Sequence, residues 1–211
     1  MMTKKPRTSR TARFQNLLDL AAGQAGYFTA AQARGLGYSA RSLVHRVAAG
    51  HIERVSRGFY RLVGVPAGPN EDIVAAWLRF ASRRAVVSHD TALALYDLAH
   101  SRSHEIHLTV PRERRPRGAP PAGGVRLHTT VAPLRRDEVA KRFGVEITSP
   151  ARTLADVADV GAEPGVVIEA TARALATGLV TAGELREAVD HRSARVRGLV
   201  ERAIREAGAH A

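Results

Sequence analysis

From Arg10 to Leu62 the hydrophobic and polar positions change period repeatedly, and each change marks an element. Phe14, Leu17, Leu18 and Ala21 recur one and two helical turns apart, which predicts a helix over about Arg10 to Gln24. Tyr27 to Thr29 reads as a short strand. Thr29 then offers a hydroxyl to cap a helix over Ala30 to Leu36, and Gly37 suits its left-handed close. Ser39 caps a second helix that runs to about Ala49, and Gly50 stops it. On the wheel of that helix Ala40, Leu43, Val44 and Val47 form one stripe, Ser42, His45 and Ala49 lie opposite, and Arg41 and Arg46 flank them. Ile52 to Val55 and Phe59 to Leu62 are β-prone runs joined by the turn Ser56-Arg57-Gly58.

Beyond Leu62 the periodicity breaks at Val65-Pro66-Ala67-Gly68-Pro69, the expected border between a domain over 1–65 and a second over 66–211. Asn70 starts a helix to about Arg83 with Ile73, Val74, Trp77, Leu78 and Ala81 on its apolar face. A strand follows at Ala85 to Ser88, and then a helix through Leu98. Further strands are expected at Glu105–Val110, Val125–Thr130 and Phe143–Thr148, and Leu134 to Arg142 reads as a short helix or a turn. Ser149 caps a helix with Pro150 in its first turn, Thr181 and Glu184 make a capping box, and Val196, Leu199, Val200, Ala203 and Ile204 stripe a terminal helix. The fold class is therefore α+β in two domains: helix, turn, helix and hairpin first, a mixed α+β domain second.

Charge sharpens the reading of the first domain. The chain of 211 residues carries a net charge of +12. Residues 1–65 hold eleven of the bases against only Asp19 and Glu53, whereas the rest is close to balanced. Helix, turn, helix, basic hairpin is the order of a winged helix-turn-helix. On this reading Arg41, Ser42, His45 and Arg46 face the major groove and Arg54, Arg57 and Arg61 grip phosphate or minor groove from the wing. Residues 1–9 form a basic arm, read either as a solvated tail or as a segment lying along phosphates. Aromatic residues make up only 5% of the chain, which favours duplex over stacked single strands.

Other chemistries find little footing. With no cysteine there is neither disulfide nor thiolate metal site. His104 and His107 point to opposite faces of a strand and read as surface or satisfied histidines, and the adjacent pair His89-Asp90 reads as a helix cap rather than a catalytic dyad. Arg152 and Asp156, one turn apart, read as a surface ion pair. PRERRPRG, from Pro111 to Gly118, is a basic loop, followed by a connector to Gly124. No cofactor, metal site or catalytic residue is expected, and neither a membrane span nor a leader peptide, so the cytoplasm is the expected compartment.

Three stretches resemble one family. Gly26-Tyr27-Phe28-Thr29-Ala30-Ala31-Gln32-Ala33 and the wing from Gly50 to Tyr60 resemble the N-terminal domain of AbiEi antitoxins, the antitoxin half of bacterial toxin–antitoxin pairs. Ser88 to Tyr96 and Ile147 to Asp156 resemble the family's second half. The resemblance implies a repressor that binds inverted repeats in its own promoter. It also implies a second domain that counteracts a nucleotidyltransferase-like toxin, an opposition described in the family as type IV, without a stable complex. A solitary winged-helix regulator whose second domain dimerises or senses a ligand, and an enzyme delivered to DNA, are the other readings of the same residues.

Overall fold

The computed structural model describes residues 10–66, 68–99, 104–117 and 124–209. The basic arm over 1–9 and most of the connector before Gly124 lie outside the described residues. The chain divides into two units, 1–79 and 80–211.

In the first unit α1 (Arg10–Ala22) leads into β1 (Tyr27–Thr29), α2 (Ala30–Gly35) and α3 (Ala40–Ala48), then β2 (Ile52–Ser56) and β3 (Phe59–Leu62). Thr29 caps α2 in a full capping box: its hydroxyl accepts from the Gln32 amide while the Gln32 side chain accepts from the Thr29 amide. Ser39 caps α3 through the Ser42 amide. Gly37 and Gly50 close the two helices at φ of 85° and 71°, which only a residue without Cβ adopts at no cost. The strands form an antiparallel sheet in the order β1-β3-β2, with Phe28 opposite Tyr60 and Ile52 opposite Leu62. Leu17, Ala21, Phe28, Ala33, Leu43, Ile52 and Leu62 bury together as the core of this unit. At the wing turn the Gly58 carbonyl accepts from the Ala30 amide at 2.8 Å.

Helix α4 (Glu71–Phe80) belongs to this unit as far as Arg79, rather than opening the second at 66. The reason lies on the other face of the sheet. Tyr27 and Phe59 stack there at 5.2 Å, Arg79 lies over Phe59, and Glu71 accepts from the Tyr27 hydroxyl at 2.7 Å. A sheet covered on both faces explains why β3 has no exposed position.

The second unit is built on a five-stranded mixed sheet, order β6-β5-β4-β8-β7. Its strands are β4 (Val86–Val87), β5 (Ile106–Pro111), β6 (Val125–Thr130), β7 (Val139–Arg142) and β8 (Val145–Thr148). Helix α5 (His89–Leu95) follows β4. After the sheet come α6 (Pro150–Asp159), α7 (Pro164–Ala176), α8 (Ala182–Val189) and α9 (Ala194–Gly208). Ser149, Thr181 and Ser193 cap α6, α8 and α9 through their hydroxyls. The stripe expected on α9 is the buried one at Val196, Val200, Ala203 and Ile204. Leu134 to Arg142 is a short 3-10 turn at Arg136–Glu138 followed by a strand, not a helix. Phe143, at φ 50°, and Gly144 turn β7 back antiparallel to β8, so sheet pairing overrides the helix-forming residues of Val139–Arg142.

Candidate nucleic-acid interface and a histidine-lined cleft

Helix α3 presents most of its length to solvent. Ala40, Arg41, Val44, His45, Ala48 and Ala49 are exposed, and Leu43 is its one fully buried residue. The wheel placed Val44 inward, yet it is 64% exposed. Arg46 accounts for the rotation. Its guanidinium lies 4.7 Å over the Phe14 ring and 5.1 Å from that of Tyr38, so the packed side of α3 is the one shared by Leu43 and Arg46, and Val44, roughly opposite Arg46 on the helix, turns outward. Arg46 thus stands half-buried beside the outward row of α3 rather than in it. His45, Ser42 and Ala49 line a hollow of about 550 Å³ with Arg13, Tyr38, Arg46 and His51. The Ser42 hydroxyl donates to the Ser39 carbonyl at 2.7 Å, which leaves it lone pairs but no proton to offer a base.

On the wing Arg54 and Arg57 are exposed, Arg57 in the turn between β2 and β3. Arg61 is not on that surface. Its Nε lies 3.2 Å from Glu71, one of its terminal nitrogens donates to the Val65 carbonyl at 2.8 Å, and its guanidinium sits over Tyr27. The register opposite Tyr27 puts Arg61 on the α4 face of the sheet, and the phosphate-gripping role expected of it is corrected accordingly. Arg13 and His51 were missed by sequence reasoning. No periodicity links them to α3, and only folding brings them to the hollow.

The second unit holds a different constellation. His89, the first residue of α5, is buried and adopts φ 52°, a conformation that costs an L residue about 1–2 kcal/mol and is retained only where its surroundings fix it. Its ring stacks on that of His128 with centroids 3.5 Å apart, and His107 lies 5.1 Å from His128. Thr109 donates to the Ser88 hydroxyl at 2.8 Å, and Ser88 lies 2.9 Å from His89 Nδ1. The tautomer of the His89 ring decides which of the two donates in that contact. Burial, then the neighbouring imidazoles of His128 and His107, pull the His89 pKa down to about 2. Burial and His107 hold His128 at about 4, and burial lowers His107 as well. All three are neutral at pH 7. His107 is neither at the surface nor satisfied, since both its ring nitrogens are buried without a hydrogen-bond partner. His89 and Asp90 do not cap α5 through their side chains either: Ser88 holds the cap position, and no side chain there makes a capping bond.

His89 and His128 line a cleft of about 650 Å³ whose other wall carries Arg152, Asp156, Asp159 and Arg192. Arg152 and Asp156 are no surface pair. Their side chains are 13% and 5% exposed, and Glu138 and Arg192 extend the pair into a network of alternating charge. Three carboxylates, Glu138, Asp156 and Asp159, pair with the two guanidinium groups of Arg152 and Arg192, so the network leaves no excess positive charge for an anion. Among the described residues no group of three or more histidine or carboxylate side chains is placed to hold a metal ion.

The stretches on either side of the cleft, Ser88–Tyr96 and Ile147–Asp156, lie some sixty residues apart in the chain and meet here. A family model described as the AbiEi antitoxin C-terminal domain matches residues 85–203, and one described as a transcriptional regulator, AbiEi antitoxin, matches residues 15–63. The chain belongs to the AbiEi antitoxin family. The two matches cover the winged unit and the mixed-sheet unit and leave out the residues of α4. No curated protein matches the chain. Among solved structures, the RV2827C protein from Mycobacterium tuberculosis is similar in fold, with 13% sequence identity and a TM-score of 0.55 over 96% of this chain and 79% of that one. As an AbiEi family member the chain is a DNA-binding antitoxin. Among its described residues no helix is long and apolar enough to cross a membrane.

Proposed function

We propose that this antitoxin represses transcription of its own gene by binding inverted repeats in the promoter through α3 and the wing. We propose further that its second unit counteracts a nucleotidyltransferase-like toxin in the cytoplasm. The observation that carries the first part is the joint exposure of Arg41, His45, Arg54 and Arg57 on α3 and the wing of one small unit. A helix with short outward side chains fits a major groove, and exposed arginines on an adjoining hairpin fit the backbone beside it. The strong positive excess of residues 1–65 supplies counterion release on any duplex.

The cleft between His89 and Arg152 is the feature of the second unit best suited to the opposing role. Both stretches that resemble the family's second half converge on it, and it holds a strained residue, His89, and an unpartnered imidazole nitrogen, His128 Nε2. Gel-shift titration on the DNA upstream of the gene, beside random DNA at two salt concentrations, tests the repressor role. A preference of about a thousandfold is expected. Equal, strongly salt-dependent binding to both would end the autoregulation reading. Co-expression with a neighbouring nucleotidyltransferase reading frame tests the second part, where growth rescue by wild type but not by an Arg152→Gln chain is expected.

A further inference from the structure

Val44 stands at the middle of α3 with two methyl groups in water. Single exposed valines are ordinary, so exposure alone says little. Its neighbours say more. Ala40 and Ala48 lie four residues to either side, on the same row of the helix, and both are exposed. Arg41 and His45 border that row. A strip of methyl groups therefore runs along the helix beside the row of Arg41 and His45, and Val44 alone in it stands above the backbone of the strip. Valine is stiff at χ1, so its methyls are held in place rather than swept about. It is also a poorer helix former than alanine, and at this site it packs into no core that would compensate for that.

We infer that Val44 is a specificity-determining residue that packs on the C5-methyl group of a thymine in the major groove. The inference rests on the reading of α3 as the helix that enters that groove. Thymine is the base whose major-groove edge carries a methyl group, and apolar contact is the way a protein recognises it. Alanines before and after Val44 let the helix approach closely enough for the contact. Arg41 and His45 then supply the polar part of the same reading to the adjoining base pairs.

The test uses the full chain and the tightest duplex it selects from a random pool. Each thymine is replaced in turn by deoxyuridine, which keeps the base pair and removes the methyl. Wild type is expected to bind about three- to tenfold more weakly when one or two particular thymines are replaced, as burial of one methyl implies. Val44→Ala should bind the all-thymine duplex more weakly by a similar factor and be indifferent to replacement at those positions. Alanine favours the helix and vacates no buried site, so folding is not at stake in this variant. If Val44→Ala keeps the wild-type sensitivity at every thymine, or loses no affinity, the inference is overturned while DNA reading by α3 stands. If the pool yields no preferred duplex at all, base reading by α3 fails and the role of Val44 fails with it.

Discussion

Arg152 places its Nε 2.9 Å from both carboxylate oxygens of Asp156, and Arg192 donates to the same carboxylate. Asp156 is thus shared by two guanidinium groups, each of which has a second carboxylate, Glu138 for Arg152 and Asp159 for Arg192. Asp156→Ala takes from each guanidinium the more buried of its two carboxylates, and the second unit should lose about 1–3 kcal/mol of stability, less than a fully stranded pair would cost. Asp156→Asn should cost less, because the amide oxygen still accepts. Urea unfolding checks this, and equal midpoints for wild type and Asp156→Ala would show the network to be stabilisingly idle.

The histidine cluster makes the second unit sensitive to mild acid. His89 and His128 have folded pKa values of about 2 and about 4, both below the usual 6.5. The folded state therefore refuses protons that the unfolded chain takes up, and stability must fall as pH drops below 6.5. The loss continues to about pH 4 for His128 and further for His89. At pH 5 the buried His89 should cost about 2 kcal/mol relative to pH 7.5, and the half-buried His128 somewhat less. Urea midpoints at pH 7.5, 6 and 5 give the slope. His128→Gln should flatten it, and an unchanged slope in that variant would refute the assignment.

Arg57 and His45 should separate affinity from discrimination. Arg57→Ala is expected to weaken binding to all duplexes alike and to reduce the salt slope by about one. His45→Ala should instead narrow the gap between selected and random DNA, by roughly 1–3 kcal/mol if the contact is a good one. Titrations on both DNAs at several salt concentrations distinguish the two. Equal losses on both DNAs for His45→Ala would remove it from base reading.

Arg46 is expected to matter twice. Arg46→Ala removes a guanidinium that covers Phe14 and Tyr38, so thermal unfolding of the first unit should come earlier, by roughly 0.5–2 kcal/mol. Arg57→Ala, at an exposed turn, should leave that transition in place. A stable Arg46→Ala chain that merely binds DNA less well would make Arg46 a groove residue after all.

Much of the fold was legible in the sequence because it rests on local signals. Thr29, Ser39, Ser149 and Thr181 cap the helices that their positions announced, and the turn at Arg57-Gly58 forms the wing. What escaped depends on the far side of an element. A wheel cannot know that Arg46 lies on aromatic rings and so turns Val44 outward. Strand alternation cannot know that α4 covers the second face of the sheet and claims Arg61. Nor does spacing connect His89 with His128, or Asp156 with Arg192, because their meeting is a matter of sheet order and helix packing. The residues proposed to face DNA are read from charge and capping, whereas the cleft of the second unit is visible only in three dimensions.

The hydrogen bond from the Ala30 amide to the Gly58 carbonyl ties the tip of the wing to the first residue of α2. The spacing between Arg57 and the outward row of α3 is therefore set during folding, like the jaws of a fixed calliper. A hairpin free to swing would have to surrender that freedom on each encounter with a duplex. Here the freedom is already gone before DNA arrives. On the proposed reading of Arg57 and α3, recognition becomes a matter of finding a site whose phosphate and base edge lie one jaw-width apart, and the duplex, rather than the protein, must adjust when they do not.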